Sequence, residues 1–307
     1  MPLTPPSIHL FGAATPTGQA LRDLLYAASN VAPVYCYSRQ SRSGLSDFYP
    51  ADLLDPGSFR PAGHLSETSV WISFAPIWHL ASFLKFLVST RPETLHGLRG
   101  LVACSSSSVI TKRYASNAFD RTLVHQLSQA ENALISISNE LGVTCRILRP
   151  TLIYGKIGPY VDSNIAKLIG FMRRLPFLPL PSYTGLRQPI HASQLASVAL
   201  KLYRDIASCS AYPWPSVCID IGGDSQLSYE SMLISLQQSL PLSDPARRCH
   251  LLKIPTALFQ VLSSPLLLYS PKAFEAVMRM SSDLAGFTPS HQLLHEQPRP
   301  FPLEPLP

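Results

Sequence analysis

The sequence predicts an α/β fold, a doubly wound parallel sheet with a smaller C-terminal lobe. Three observations predict it. A strand, a glycine-containing turn and a helix start follow one another near the N-terminus. Short apolar strands then recur, with helical stretches between them, as far as about residue 150. Beyond that point prolines interrupt the alternation. Strands separated by helix-length segments pair in parallel and bury both faces of the sheet under helices.

The first element occupies residues 7–21. An apolar strand leads into Gly12, and a helix begins near Pro16. Gly12 supplies the tight turn, and Gly18 lets the helix pack close to the strand. Thr15 stands where a three-glycine turn would have its middle glycine. Such a turn lets backbone N–H groups at a helix start approach a pyrophosphate, which the helix dipole favours. Two glycines alone specify no more than a turn, so the next strand matters. Residues 32–37 are apolar and end in Ser38, Arg39, Gln40, Ser41 and Arg42. At this place in a dinucleotide fold an acid would bond the ribose 2′-hydroxyl, and arginine would accommodate a 2′-phosphate. Two arginines and no acid point to NADP, with NAD as the alternative.

The remaining elements continue the pattern. Residues 69–74 read as a buried strand and 78–88 as the helix after it. A strand at 100–104 runs into Ser105, Ser106, Ser107 and Ser108, and a helix covers about 121–141. Residues 143–148 form a further strand, closed by Arg149 and Pro150. Pro176, Pro179, Pro181 and Pro189 then break the chain into loops, and a late strand appears at 217–221. Residues 251–270 are largely apolar, but Lys253, Pro255, Gln260 and Pro265 divide them into two short helical pieces in a packed lobe. A tail over 297–307 is proline-rich and irregular.

Composition narrows the function. The 307 residues are 46% hydrophobic, enough for one large core or two modest ones. The net charge is +6, but only 14% of residues are charged and the excess is scattered. No basic run or zinc-finger spacing supports nucleic-acid binding, and a mildly basic surface suits an anionic cofactor equally well. The six cysteines lie far apart without a C-x-x-C pair. That spacing suggests buried thiols in a cytoplasmic protein, with no disulfide frame and no metal site. The N-terminus has neither the basic start nor the apolar core of a signal peptide. Membrane evidence is limited to shallow contact through 251–268.

Several motifs together resemble a known family. They are Gly12 to Gly18, Asp52-Leu53-Leu54-Asp55, Ser73-Phe74-Ala75-Pro76 and the serine run from Ser105. Further on come Arg149-Pro150-Thr151-Leu152-Ile153-Tyr154-Gly155, Arg187-Gln188-Pro189-Ile190-His191 and Ile221-Gly222-Gly223. Arg279-Met280 and Pro298-Arg299-Pro300-Phe301 match the C-terminal end of bacterial members. In this order and spacing the chain resembles an extended or atypical short-chain dehydrogenase/reductase of the NAD-dependent epimerase/dehydratase type.

The resemblance implies a Rossmann-like NAD(P)-binding domain over residues 1–155. It implies a substrate lobe over 156–296 with the return strand at 217–221, then the tail at 297–307. Gly12, Thr15, Thr17 and Gly18 would lie against the pyrophosphate, and Ser38 and Arg39 would meet the 2′-phosphate. Asp52 and Leu53 would flank the adenine, and Phe74, Ala75 and Pro76 the ribose side. Ser105 and Ser106 would approach the nicotinamide, with Pro150, Thr151 and Ile153 beside its carboxamide. Tyr154, Arg187 and His191 would face the substrate, a small molecule such as a sugar nucleotide. A homodimer through the two long helices is a further expectation.

The chemistry departs from the family. Its members carry Tyr and Lys four residues apart on the helix after the serine strand, where the lysine cation lowers the phenol pKa for proton exchange. With Glu131 aligned to the glutamate that follows this lysine, Leu127 and Leu123 occupy the two positions. Neither transfers a proton. Ser106 and Lys112 are the catalytic candidates in their place, with Tyr114, His125, Tyr154 and His191 behind them. Two functions therefore compete: an NAD(P)-dependent oxidoreductase, epimerase or dehydratase, and an NAD(P)-binding sensor, scaffold or assembly subunit without turnover.

Overall fold

The computed structural model describes residues 5–28, 32–39, 48–63, 67–209, 214, 216–304 and 306. Arg42 lies outside the described residues. The uninterrupted apolar runs become strands covered on both faces: every residue of β1 (Ser7–Phe11) and β4 (Ser69–Ser73) is buried. They pair in parallel, Leu10 beside Ile72. On the other side of β1 comes β2 (Val34–Ser38), and beyond it β3 (Phe48–Pro50), both parallel. Beside β4 lies β5 (Leu98–Cys104), followed by β6 (Thr144–Pro150), again parallel. The strands Cys218–Gly222 and Thr288–Pro289 complete an eight-stranded sheet.

The chain thus winds outward from β1 in both directions. The β1–β4 junction is the switch point, and ligands of such sheets bind at the carboxyl ends of the strands there. Helices follow the strands: α1 (Pro16–Ala27) after β1, α2 (Ile77–Thr90) after β4, then the short α3 (Ser108–Thr111) and the long α4 (Ala118–Leu141) after β5. In α1 the buried Thr17, Gly18, Leu21 and Leu25 fall on one stripe at helical spacing.

Contacts divide the chain into two units, each discontinuous in sequence: residues 1–107, 125–150 and 193–220, and residues 108–124, 151–192 and 221–307. The first unit has an unusually aromatic core. The ring of Phe11 stacks on Tyr37 at 4.7 Å and tilts against Trp71 at 5.3 Å, with Phe59 and Phe83 around them. Aromatic pairs at these distances contribute about 1 kcal/mol each beyond simple area burial.

The second unit packs Tyr154, Ile165, Ile169, Met172, Leu180, Leu233 and Leu236 into a core of its own. Its helix Ser163–Arg174 is capped by Asp162, whose Oδ2 accepts the N–H groups of Asn164 and Ile165 at 2.7 and 3.2 Å. Two details differ from the sequence reading. Pro179 and Pro181 do not break the chain, because they lie in the strand Phe177–Pro181. That strand belongs to a two-stranded sheet, where a residue without N–H is tolerated on the unpaired side. Its partner is His250–Ile254, so the start of the apolar stretch 251–270 is strand and only the rest is helical.

Candidate functional site

The β1–α1 turn is built by its glycines. Gly12 has φ +74°, and a Cβ there would stand 2.7 Å from the Ala75 nitrogen. A Cβ on Gly18 would lie 2.3 Å from the Gly12 carbonyl oxygen. Neither position accepts a side chain without moving backbone. Thr15 is the N-cap: its hydroxyl donates to the Gly12 carbonyl at 2.8 Å and accepts the Gly18 N–H at 3.0 Å. It closes the turn from within and leaves the solvent side to backbone. Pro16 at the first helical position has no N–H to offer.

Above this turn a cavity of about 630 Å³ opens at the ends of β1, β2 and β4. Eight residues singled out from sequence line it: Gly12, Thr15, Ser38, Arg39, Leu53, Phe74, Ala75 and Pro76. The sequence reading missed Phe11, Ala14, Tyr37, Ala51, Leu54 and His79. Tyr37 and Phe11 were legible only as strand residues; their position at strand ends beside the switch point makes them lining groups. Thr17 and Gly18 lie behind the turn and are buried. The Asp52 carboxylate does not line the cavity. Its Oδ1 accepts the Leu54 N–H at 3.0 Å and closes a local turn.

Tyr37 links the cavity to a buried histidine. Its oxygen accepts the Ala62 N–H at 2.9 Å and meets His9 Nδ1 at 2.9 Å. Burial drives the His9 pKa down to about 4, so the ring is neutral. Burial also pushes the Tyr37 phenol upward.

At the ends of β5 and β6 the serine run is held along β6. Ser105 N–H donates to Leu148 and Ser107 N–H to Pro150 at 2.7 and 2.9 Å. The Ser105 hydroxyl donates to Glu131 Oε1 at 2.5 Å. Glu131 is buried and also takes two bonds from Arg149, from Nε at 3.0 Å and Nη2 at 2.5 Å. These bonds, against the opposing effect of burial, hold the guanidinium firmly protonated. Ser105 therefore completes an ion-pair network with Glu131 and Arg149. On α4, Leu127 is buried and His125 exposed.

In the second unit Lys112 is committed to structure. Its Nζ lies 2.8 Å from Asp120 Oδ1, and Asn117 Nδ2 donates to the other oxygen at 2.9 Å. Arg279 also bonds Asp120. Burial raises the Asp120 pKa, but these bonds outweigh it and bring it to about 2. Tyr114, the neighbouring alternative, is almost wholly exposed.

The three expected substrate residues are likewise turned to the chain itself. Arg187 is buried and donates to the carbonyls of Leu186, Ser282 and Arg279 at 2.8, 2.7 and 2.5 Å. Tyr154 is buried, accepts the Leu303 N–H at 2.8 Å, and packs edge-on to His191 and Phe301. His191 is buried against Gly155, whose φ is +122° and where a Cβ would stand 2.4 Å from the imidazole Nε2. Thr151 donates to the Gln188 carbonyl at 2.5 Å, and Ile153 pairs with Ile190. Pro150 ends β6. Among the described residues no cluster of three His, Cys, Asp or Glu groups could hold a metal, and no helix is long and apolar enough to cross a membrane.

Solved structures with the same architecture are numerous. Gre2 from Candida albicans superposes with a TM-score of 0.60 at 13% identity, over 97% of this chain and 95% of that one. The GDP-mannoheptose C4 reductase of Campylobacter jejuni, with NADP bound, gives 0.57 at 12%, over 83% and 89%. The chain shares the Rossmann-like α/β fold of these proteins. The UDP-glucuronic acid 4-epimerase of Bacillus cereus, in complex with NAD, gives 0.53 at 16%, over 90% and 95%. No family model and no curated protein matches the sequence.

Proposed function

We propose that this chain is an NADP-dependent oxidoreductase or epimerase acting on a sugar nucleotide or a comparable polar metabolite. The observation that carries the reading is the cavity at the switch point, walled by the glycine turn, Ser38, Arg39 and residues 74–76. Gly12 leaves room there for backbone-close approach of a pyrophosphate, and Arg39 offers a guanidinium for a 2′-phosphate. Leu53, Leu54 and Phe74 supply apolar walls for the adenosine. The bound nicotinamide would supply hydride acceptance and return. The Campylobacter and Bacillus proteins, described with NADP and NAD and named for GDP- and UDP-sugars, support the cofactor and the substrate class.

A second reading, cofactor binding without turnover, is favoured by Leu123 and Leu127, which stand where the family carries its tyrosine and lysine. Ser105 and Lys112 do not replace them, being engaged by Glu131 and Asp120. Ser106, the other catalytic candidate, carries a hydroxyl. One experiment separates the readings. The protein is mixed with NADP and with NADPH and offered a panel of GDP- and UDP-sugars and their 4-keto forms. Substrate-dependent change in the absorbance of the reduced nicotinamide, lost in Ser106→Ala, supports the enzyme. Intact NADPH binding with unchanged absorbance and unchanged sugars by chromatography supports the second reading.

A further inference from the structure

Residues 254–271 carry no charged side chain, yet much of the segment stands in water. In the helix Thr256–Ser263 only Phe259 and Ser263 are buried. Leu258, Val261 and Leu262, spaced to share one helical face, point outward, the last two 66% and 61% exposed. That is the reverse of an ordinary surface helix, which turns such a stripe to the core. The helix Leu266–Tyr269 continues the feature, with Leu268 at 89% and Tyr269 at 90% exposure. A contiguous apolar tip of this kind marks an interaction site.

Its surroundings say what kind. No acid occurs from residue 245 to 274, whereas Arg247, Arg248, Lys253 and Lys272 do. Lys253 pairs with Glu230 at 2.9 Å, and Lys272 lies 3.6 Å from the Phe119 ring centroid. Arg248 is exposed. We infer that this tip docks on an anionic lipid bilayer, its leucines entering the headgroup–acyl boundary with Tyr269 and the flanking cations at headgroup level. The helices of 8 and 4 residues are too short to span, so insertion is shallow. A second copy of the chain fits less well: a two-fold contact through the tips would set the same cationic rim against itself, whereas anionic headgroups neutralise it. This inference is independent of the dinucleotide reading.

The test is cosedimentation of the full chain with vesicles of phosphatidylcholine alone or mixed with phosphatidylserine, at increasing salt. The chain sediments with the anionic vesicles, less so as salt rises. The double variant Leu268→Glu, Tyr269→Glu keeps the wild-type circular dichroism, because both sites are exposed, and partitions at least about tenfold less. Failure to bind anionic vesicles, or equal binding by the double variant, overturns the inference. So does sedimentation velocity without lipid in which the wild type is a dimer and the double variant a monomer.

Discussion

Buried Glu131 and half-buried Arg149 form a two-pronged ion pair, with Nε–Oε1 at 3.0 Å and Nη2–Oε2 at 2.5 Å, and Ser105 adds a third bond to the same carboxylate. The pair ties α4 to β6, and Asp220 lies on its far side, 3.5 Å from Arg149 Nη1. Breaking a buried pair leaves one charge without compensation, at a cost of about 3 kcal/mol. Glu131→Gln should therefore lower the unfolding free energy by that amount, read as a lower urea midpoint. Glu131→Gln combined with Arg149→Met should recover much of it, since no charge is stranded. Additive losses in the double variant would show that the two residues act separately.

Gly18→Ala puts a methyl group against the Gly12 carbonyl, where only 2.3 Å is available. The β1–α1 turn must open to admit it. NADPH affinity should fall at least about tenfold, which corresponds to roughly 1.4 kcal/mol. Gly170→Ala is the control for adding a methyl to a helical glycine, since a Cβ there meets nothing within 4 Å. It should leave NADPH binding intact. Equal binding by Gly18→Ala and wild type would place the cofactor elsewhere.

His9 makes stability depend on pH. Its pKa is lowered by burial from 6.5 to about 4, so the folded chain disfavours the proton that the unfolded chain accepts. Its contribution is complete above pH 6.5 and is lost as pH falls toward 4, up to about 3 kcal/mol by linkage. Asp120 acts lower: its pKa falls from 3.8 to about 2, so its contribution fades only below pH 3.8. His9→Asn should flatten the stability profile between pH 6.5 and 4 and keep a hydrogen-bonding group for Tyr37. Chemical denaturation at stepped pH measures the difference, and parallel wild-type and variant profiles would refute it.

The tail is fastened by an alternating pattern. Pro298, Pro300 and Pro302 have no N–H, and the intervening donors of Arg299, Phe301 and Leu303 go to Asp224, Ser225 and Tyr154 at 2.9, 3.1 and 2.8 Å. Tyr154→Phe removes one acceptor at a cost of about 1 kcal/mol. Amide exchange at Leu303 should accelerate several-fold while Arg299, held by Asp224, keeps its protection. No change at Leu303 would mean that this bond does not hold the tail.

These contacts also mark how far the sequence can be read. The turn from Gly12 to Gly18 was legible because a missing side chain is itself a residue choice. The strands near 69–74, 100–104 and 143–148 were legible because apolar runs bounded by polar residues leave few alternatives. Arg187 was not, since its three carbonyl partners are supplied by backbone, including residues 279 and 282 far along the chain. Tyr154 was read toward substrate for the same reason: its partner is the amide of Leu303. Asp52 was read toward the adenine, whereas its carboxylate closes a local turn to Leu54. The two-residue strand Thr288–Pro289 has too little pattern to announce itself.

The most direct test of the central claim is a fluorescence titration of NADPH and NADH with wild type and Arg39→Ala. Wild type should bind NADPH about tenfold or more tightly than NADH, through the charge-assisted contact of Arg39 with the 2′-phosphate. Arg39→Ala should remove this preference and leave NADH affinity unchanged. Equal affinities in both proteins, or binding of neither nucleotide by wild type, would contradict it.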